Sequence, residues 1–389
     1  MLDSSTASRA RAWVEVRLDR LRENAAAAQR AIGVNAGLVP MVKAEAYGLG
    51  MAPVVAALRD FPRPADPWAF GVAAIAEGES LRAAGWAGRI LVFSPAPLSE
   101  FRRAAEAELT LCISELPAVR ELADVARALD RTIPFHVEID TGMGRAGFPW
   151  TEAASWGEAL LAESSGLRWE GTYTHFHSAD EADRGPTQEQ WNRFERALAE
   201  LPDVEPAPIL HVANSAGILR FGGFGCDLAR PGIFLYGGKA GPETSPAPVV
   251  SVRARVVLVR DVEPGATVGY GATHTASGVE RWATLSIGYG DGIPRALAAG
   301  GGEVLVRGRR VPIVGRISMD MTTIDVTGLP GVRSGDIATL IGADGDDGIT
   351  VDEVAARCGT ISYEILTGLG SRLPRVYQQR ELEGSLAGY

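Results

Sequence analysis

Between about residue 36 and residue 236, short apolar runs alternate with longer amphipathic stretches, and this alternation limits the fold more than any other feature of the chain. The runs are LVPMVKA, AFGVA, ILVFS, LTLCI, IPFHVEI, WEGTYTHF, PILHVAN and GCDLARPG, with helical patterns such as SELPAVRELADVARALD and QEQWNRFERALAEL between most of them. Apolar runs of this length read as buried strands, and the longer stretches as helices packed over them. Eight such runs in about 200 residues fit a (β/α)8 TIM-like barrel better than an open doubly wound sheet, because no early GxGxxG dominates. The chain carries no repeat beyond this βα period.

The segment GGKAGPETSPAPVV is rich in Gly, Pro and Ser, and composition changes after it. A domain boundary is expected there, with residues 1–245 forming the barrel and 246–389 a mainly β C-terminal domain. The later runs SVRARVVLVRDV, ATLSIGY, GEVLVRGRRVPIVGRIS, MTTIDVT and DIATLIG are β-branched, strand-length and punctuated by turn residues. TVDEVAARC is expected to be a helix that starts at Thr350, carries acidic residues in its first turn and ends before Gly359. The early AWVEVRL alternates like a strand and is a candidate to join the second domain.

Charge narrows the partners. The 389 residues carry 38 basic and 48 acidic side chains, net −10, with no basic block, which argues against a nucleic-acid or anionic-membrane partner. The start MLDSSTASRARAWVEV lacks the apolar core of a secretory leader, and no stretch approaches the roughly 18 apolar residues of a membrane span. A soluble cytoplasmic protein is expected. Cys112, Cys226 and Cys358 are odd in number and lack paired spacing, so free buried thiols are expected rather than disulfides or a metal site.

The C-terminal ends of barrel strands face a common mouth, where barrels build their sites. The polar residues at those ends are Lys43, Glu138, Asp140, Arg145, His175, His211, Asn214, Ser215 and Arg230. Alone, Lys43 reads as a surface lysine whose stem lies on apolar surface. In a desolvated mouth its amine becomes a nucleophile able to form a Schiff base, the attachment chemistry of pyridoxal phosphate. Tyr47, Gly48 and Gly50 follow it at once, and would offer a hydroxyl and close backbone approach to a phosphate. RPGIFLYG closes the last strand, where barrels bind phosphate through backbone N–H groups, here Gly232 and Ile233, with Ser215 adding a hydroxyl.

The ordered motifs MVKAEAYGLG, DTGMGRAGF, YTHFHSADE, HVANSAG, RPGIFLYG, VGYGATHTA, IGYGDGIPR, VGRISMD and ISYEILTGLGSRLPRVY span nearly the whole chain. In them the chain resembles the bacterial alanine racemases, pyridoxal phosphate enzymes of fold type III. The resemblance implies pyridoxal 5'-phosphate held on Lys43, with Lys43 the base for the D-substrate and Tyr270 the base for the L-substrate. It implies that His175, with Arg230 and His211 behind it, biases Tyr270 toward phenolate. Arg230 would face the pyridine nitrogen and, staying charged, weaken the ring as an electron sink, which disfavours transamination.

Further roles are implied in the same way. Tyr47, Ser215, Gly232, Ile233 and Tyr363 match phosphate ligands, and His211 and Asn214 belong to the cofactor site. Arg145 and the backbone at Met319 match the groups that bind the substrate carboxylate, and Asp320 follows in the same loop. Tyr289 and Tyr363 match tyrosines that narrow the entrance to a pocket sized for a small amino acid. In the family Tyr270, Tyr289 and Met319 come from the partner subunit, so a head-to-tail homodimer is implied.

The chain departs from the family pattern at several positions. Most members carry a carbamylated lysine where this chain has Glu138, which keeps the negative charge nearer the backbone; activity is therefore expected not to depend on bicarbonate. Glu45 replaces the usual aspartate, Leu49 the usual histidine, His177 a usually small residue and Ser318 the usual cysteine. These leave the reaction class intact and keep open a racemase for serine or a non-standard amino acid. A non-catalytic cofactor carrier is disfavoured by Tyr270, since a carrier has no need of a second base, and a decarboxylase by Arg230.

Overall fold

The computed structural model describes residues 9–61 and 66–379; residues 1–8, part of the polar start expected to lack a leader, lie outside the described residues. Eight parallel strands among the described residues, Gly37–Leu38, Ala69–Val72, Arg89–Val92, Thr110–Ile113, Ile133–Asp140, Leu167–Tyr173, Ile209–His211 and Leu228–Ala229, run in order through one sheet, and the short strand Phe148–Pro149 joins it beside Ile133–Asp140. Bridges from Leu38 to Pro67 and from Met41 to Gly71 join its first strand to the second and close the barrel. Each of the eight expected runs contributes a strand.

The first and last runs hold shorter strands than their apolar length suggests. Pro40 and Pro231 cannot donate to a ladder, so regular pairing stops beside them. Single bonds carry the alignment onward: Val39 N donates to Ala229 O at 2.8 Å, Met41 N to Pro231 O at 2.9 Å and Val42 N to Gly71 O at 2.8 Å.

Strand alternation separates two environments in the barrel wall. Along Ile133–Asp140, Phe135, Val137 and Ile139 join the large apolar core, whereas His136 and Glu138 take the alternate face. Helices cover the outside, and Leu116–Leu129 illustrates why: Pro117 opens its first turn, Val119, Leu122 and Val125 recur on one buried face, and Asp130 ends it in a left-handed conformation.

The C-terminal domain is mainly β. The sheet runs in the order Arg309–Pro312, Glu303–Val306, Ile337–Asp344, Val250–Val262, Ala12–Arg17, Arg375–Gln378, and Glu280–Leu285 also pairs with Val250–Val262. Ala12–Arg17 lies antiparallel to Val250–Val262, from Ala12 opposite Ala254 to Val16 opposite Val250. Helix Val351–Cys358 is capped by the Thr350 side chain, which accepts from Glu353 N, and Gly359 follows it in the left-handed conformation. This domain also grips the lysine loop: Arg375 Nη2 donates to Gly48 O at 2.9 Å and the Tyr377 hydroxyl to Leu49 O at 2.9 Å. No helix among the described residues is long and apolar enough to cross a membrane.

Candidate active site

Lys43 opens a turn of the opposite hand to an ordinary helix. Ala44, Glu45, Ala46 and Tyr47 have φ of 51°, 55°, 51° and 56°, and Gly48 continues at 81°. For L-residues this conformation costs about 1–2 kcal/mol each, so the run persists only because its surroundings over-determine it. Glu77 supplies the main anchor: its carboxylate accepts from Ala44 N at 2.6 Å, Ala73 N at 2.7 Å and Ala74 N at 3.1 Å. Ala46 N bonds Val42 O at 2.9 Å and Gly50 N bonds Glu45 O at 2.8 Å. A Cβ on Gly48 would run into the Leu366 carbonyl, so glycine is required there for space as well as for its positive φ.

The turn delivers Lys43 and Tyr47 to the wall of a cavity of about 430 Å³ at the barrel mouth, shared with Glu138, Arg145, His175, Arg230 and Tyr363. The Lys43 amine makes no hydrogen bond or ion pair with the described residues. Burial holds its pKa below the ordinary lysine value, and the charge of Arg145 adds to this. His175 is pushed down to about 3 by burial, then by Arg230, Arg145 and Lys43, and is a neutral imidazole near pH 7.

Arg230 is the hub of the barrel interior. Its Nη1 donates to His211 Nδ1 at 2.8 Å and His211 O at 2.7 Å; its Nη2 donates to Thr174 O at 2.9 Å and Val212 O at 3.3 Å and lies 3.4 Å from His175 Nδ1. Its Nε–H finds no partner among the described residues, although Arg230 lines the cavity. Glu138 is 3% exposed, so it is no solvent-facing strand glutamate. Its carboxylate accepts from the Tyr173 hydroxyl at 2.9 Å, and burial raises its pKa. No hydrogen bond or ion pair joins Glu138 to Arg145. Asp140 instead shapes the loop carrying Arg145, accepting from Gly142 N at 2.9 Å and Gly144 N at 3.1 Å.

Opposite Lys43 lies a cradle of small groups and hydroxyls. Ser215 Oγ accepts from Gly232 N at 2.8 Å and Phe234 N at 3.4 Å. Asn214 caps the helix Ser215–Phe221 by accepting from Gly217 N at 2.9 Å. Ile233 is buried and opens the turn Ile233–Tyr236. A Cβ on Gly232 would strike the Tyr47 hydroxyl, so glycine lets that hydroxyl approach the backbone. Tyr47 stacks on Tyr236 with ring centroids 4.6 Å apart, and burial raises its pKa. Tyr363 is pushed up to about 12 by burial, then by Asp180. Neither the Tyr47 nor the Tyr363 hydroxyl donates to another described residue.

Of the expected residues, His211 and Ile233 lie fully buried and do not line this cavity, and four on the C-terminal domain stay apart from it. Tyr270 sits 69% exposed between Thr267–Val268 and His274–Thr275, flanked by Gly269 and Gly271. Tyr289 and Met319 lie together, Tyr289 N bonding Ser318 O at 3.0 Å and Gly290 N bonding Met319 O at 2.8 Å, and both are exposed. Asp320 pairs with Arg372 at 2.8 Å. Among the departures, Leu49 is fully buried and Glu45 accepts from Met51 N at 3.2 Å, and neither lines the cavity. His177 does line it, exposed, with Nδ1 2.6 Å from Ser178 Oγ.

Residues not singled out from sequence also matter here. Tyr173 holds Glu138 and stacks on His211, and His136 bonds His211. Each lies two positions before a residue that was singled out, Tyr173 before His175 and His136 before Glu138, so strand period was the signal that would have found them.

A closed barrel whose mouth holds one desolvated lysine, unsatisfied hydroxyls and a fixed guanidinium, with a β domain gripping the lysine loop, is the frame of a two-domain barrel enzyme. Residues 16–240 match the family model for the alanine racemase N-terminal domain and residues 249–377 that for its C-terminal domain. The chain is 40% identical over 369 residues to the alanine racemase of Syntrophobacter fumaroxidans, covering 93% of this chain and 96% of that one. It is 37% identical over 373 residues to that of Halothermothrix orenii, covering 95% and 97%. Among solved structures, alanine racemase from Clostridium difficile superposes with a TM-score of 0.87 at 30% identity, covering 95% and 96%. The Bacillus anthracis alanine racemase, solved with bound L-Ala-P, gives 0.85 at 35% identity, covering 95% of each chain. The chain belongs to the alanine racemase family, a family of isomerases.

Proposed function

We propose that this chain interconverts L- and D-alanine, with pyridoxal 5'-phosphate held on Lys43, as a head-to-tail homodimer. The observation that carries the reading is the Lys43 amine: desolvated, without a counter-ion among the described residues, and held in a strained turn on the cavity wall. The residues present fit the cofactor. The unsatisfied Nε–H of Arg230 suits a ring-nitrogen acceptor, and the free hydroxyls of Tyr47 and Tyr363 suit phosphate oxygens. When bound, the cofactor supplies an aldehyde for a Schiff base and a conjugated ring that spreads the charge left at Cα by proton removal.

The chain's own residues do the rest. A depressed pKa lets Lys43 remove or return a proton at one face of Cα. Tyr270 of the partner subunit is assigned the opposite face. Arg230 Nη2 lies 3.4 Å from Nδ1 of neutral His175 and presents only N–H groups there, which favours the tautomer with the proton on Nε2; that N–H can donate to the phenol oxygen, favouring the phenolate. Arg145, unpaired and exposed to the cavity, is suited to bind the substrate carboxylate.

Exposed apolar surface supports the dimer. Tyr270, Met319 and Met321 are 69%, 51% and 50% exposed on the C-terminal domain, and Ile361 is 61% exposed at the mouth.

Purified protein loaded with pyridoxal phosphate in deuterated water tests the reading, with a panel of L-amino acids followed by NMR and chiral analysis. Alanine is expected to lose its α-proton and invert fastest; no exchange with any amino acid overturns the reading. His177 on the cavity wall favours a wider range that includes hydroxylated side chains, so serine belongs in the panel.

A further inference from the structure

Below the cavity, buried polar side chains lie in a row whose first two links are hydrogen bonds and whose last, from His136 to Glu170, is a close electrostatic approach that leaves His136 Nε2 without a hydrogen bond. Arg230 Nη1 lies 2.8 Å from His211 Nδ1, His211 Nε2 2.7 Å from His136 Nδ1, and His136 Nε2 3.5 Å from one Glu170 oxygen. The other Glu170 oxygen lies 2.9 Å from Arg168. His136 and His211 are fully buried and Glu170 nearly so.

The chemistry of the two ends sets the direction of the line. Guanidinium only donates, so His211 Nδ1 accepts and its proton sits on Nε2. That N–H donates to His136 Nδ1, which puts the His136 proton on Nε2, facing a carboxylate that only accepts. A donor-only group at one end and an acceptor-only group at the other agree on one pair of tautomers. Burial keeps both histidines neutral, outweighing the pull of Glu170 on His136.

Packing leaves the rings little freedom. His211 stacks on Tyr173 with centroids 4.8 Å apart and planes 9° apart, and His136 lies 6.3 Å from the Trp68 ring. The pairing of Ile133–Asp140 with Leu167–Tyr173 shifts register between Phe135 and His136, and a Cβ on Gly171 would strike the His136 ring. Glu170 and Gly171 thus provide a charge and a space for the same imidazole.

We propose that Glu170 is a positioning residue for Arg230, acting through His136 and His211; what Arg230 faces rests on the function proposed above. With the line intact, both Nη groups of Arg230 are committed inward and only Nε–H remains for the cavity. Without an acceptor beyond His136, the histidines can reverse tautomer, His211 Nδ1 becomes a donor facing a donor, and the guanidinium loses that anchor.

Ring-nitrogen NMR of full-length protein labelled at histidine, with and without pyridoxal phosphate, tests this directly. Wild type is expected to show His136 and His211 neutral with the proton on Nε2; a charged ring or an Nδ1 proton on either overturns the proposal. Glu170→Gln keeps shape and an acceptor and should keep these tautomers, whereas Glu170→Leu should give mixed ones. Glu170→Leu should also lower kcat about tenfold while KM moves less than about twofold, and should speed conversion of the cofactor to its amine form, read by absorbance. A folded Glu170→Leu variant with unchanged ring signals and an unchanged rate of that conversion also overturns it. The ring signals do not depend on turnover, so a protein that racemises nothing would sink the functional reading while the tautomers still judge the line.

Discussion

Individual residues set the chemistry through desolvation. Lys43 keeps a lowered pKa because the cavity wall surrounds it and Arg145 repels its charge. Lys43→Ala is expected to abolish the Schiff-base absorbance of the loaded protein and lower kcat/KM by about three orders of magnitude or more, measured by spectrophotometry and chiral assay. Glu138 carries its charge as part of the side chain and is held by Tyr173. Racemisation should therefore be unchanged when bicarbonate is depleted and resupplied; recovery on resupply would show that an added carboxylate is needed.

His175 gives a pH prediction at the same scale. Its pKa falls from an ordinary 6.5 to about 3 on folding. Between those values the unfolded chain binds a proton that the folded chain does not, so the contribution is present above about pH 6.5 and lost as pH falls toward 3. Denaturation midpoints of the wild type should drop across that window, and a His175→Asn variant should show a shallower drop.

The left-handed turn from Ala44 to Tyr47 is the element on which the site depends. A turn of that hand is not stable by itself, and Glu77, itself fixed by Ala73 N and Ala74 N, holds it in place through Ala44 N. Glu77→Ala leaves those amides without a carboxylate and is expected to destabilise the protein by about 2–3 kcal/mol and to weaken cofactor retention. Chemical denaturation and a cofactor dissociation assay would measure the two effects; unchanged retention would show that the turn holds without its anchor. The N-terminal strand Ala12–Arg17 acts as another such element, tying the barrel's first helix to the C-terminal sheet through its pairing with Val250–Val262.

Across the whole molecule, the cavity of one chain holds Lys43, Arg145, His175 and Arg230, whereas Tyr270, Tyr289 and Met319 lie on exposed surface outside it. If partners complete each other's sites, coexpressed Lys43→Ala and Tyr270→Phe chains should form mixed dimers with one intact site. Activity near about a quarter of wild type is expected from random pairing, against almost none for either variant alone. No recovery in the mixture would mean that Tyr270 serves the cavity of its own chain.

By itself, the sequence determined the eight-strand barrel, the β-rich second domain and the residue types at the strand ends, because burial imposes a period that local order records. The ordered motifs pointed to the family through Lys43, Arg145, Arg230 and RPGIFLYG. Only the tertiary structure decided the hand of the turn at Ala44–Tyr47, the bond from Tyr173 to Glu138 in place of one from Arg145, and the line from Arg230 to Glu170. These depend on which side chains from distant strands meet inside the barrel and on where donors and acceptors balance there. Neither propensity nor spacing along one segment carries that information.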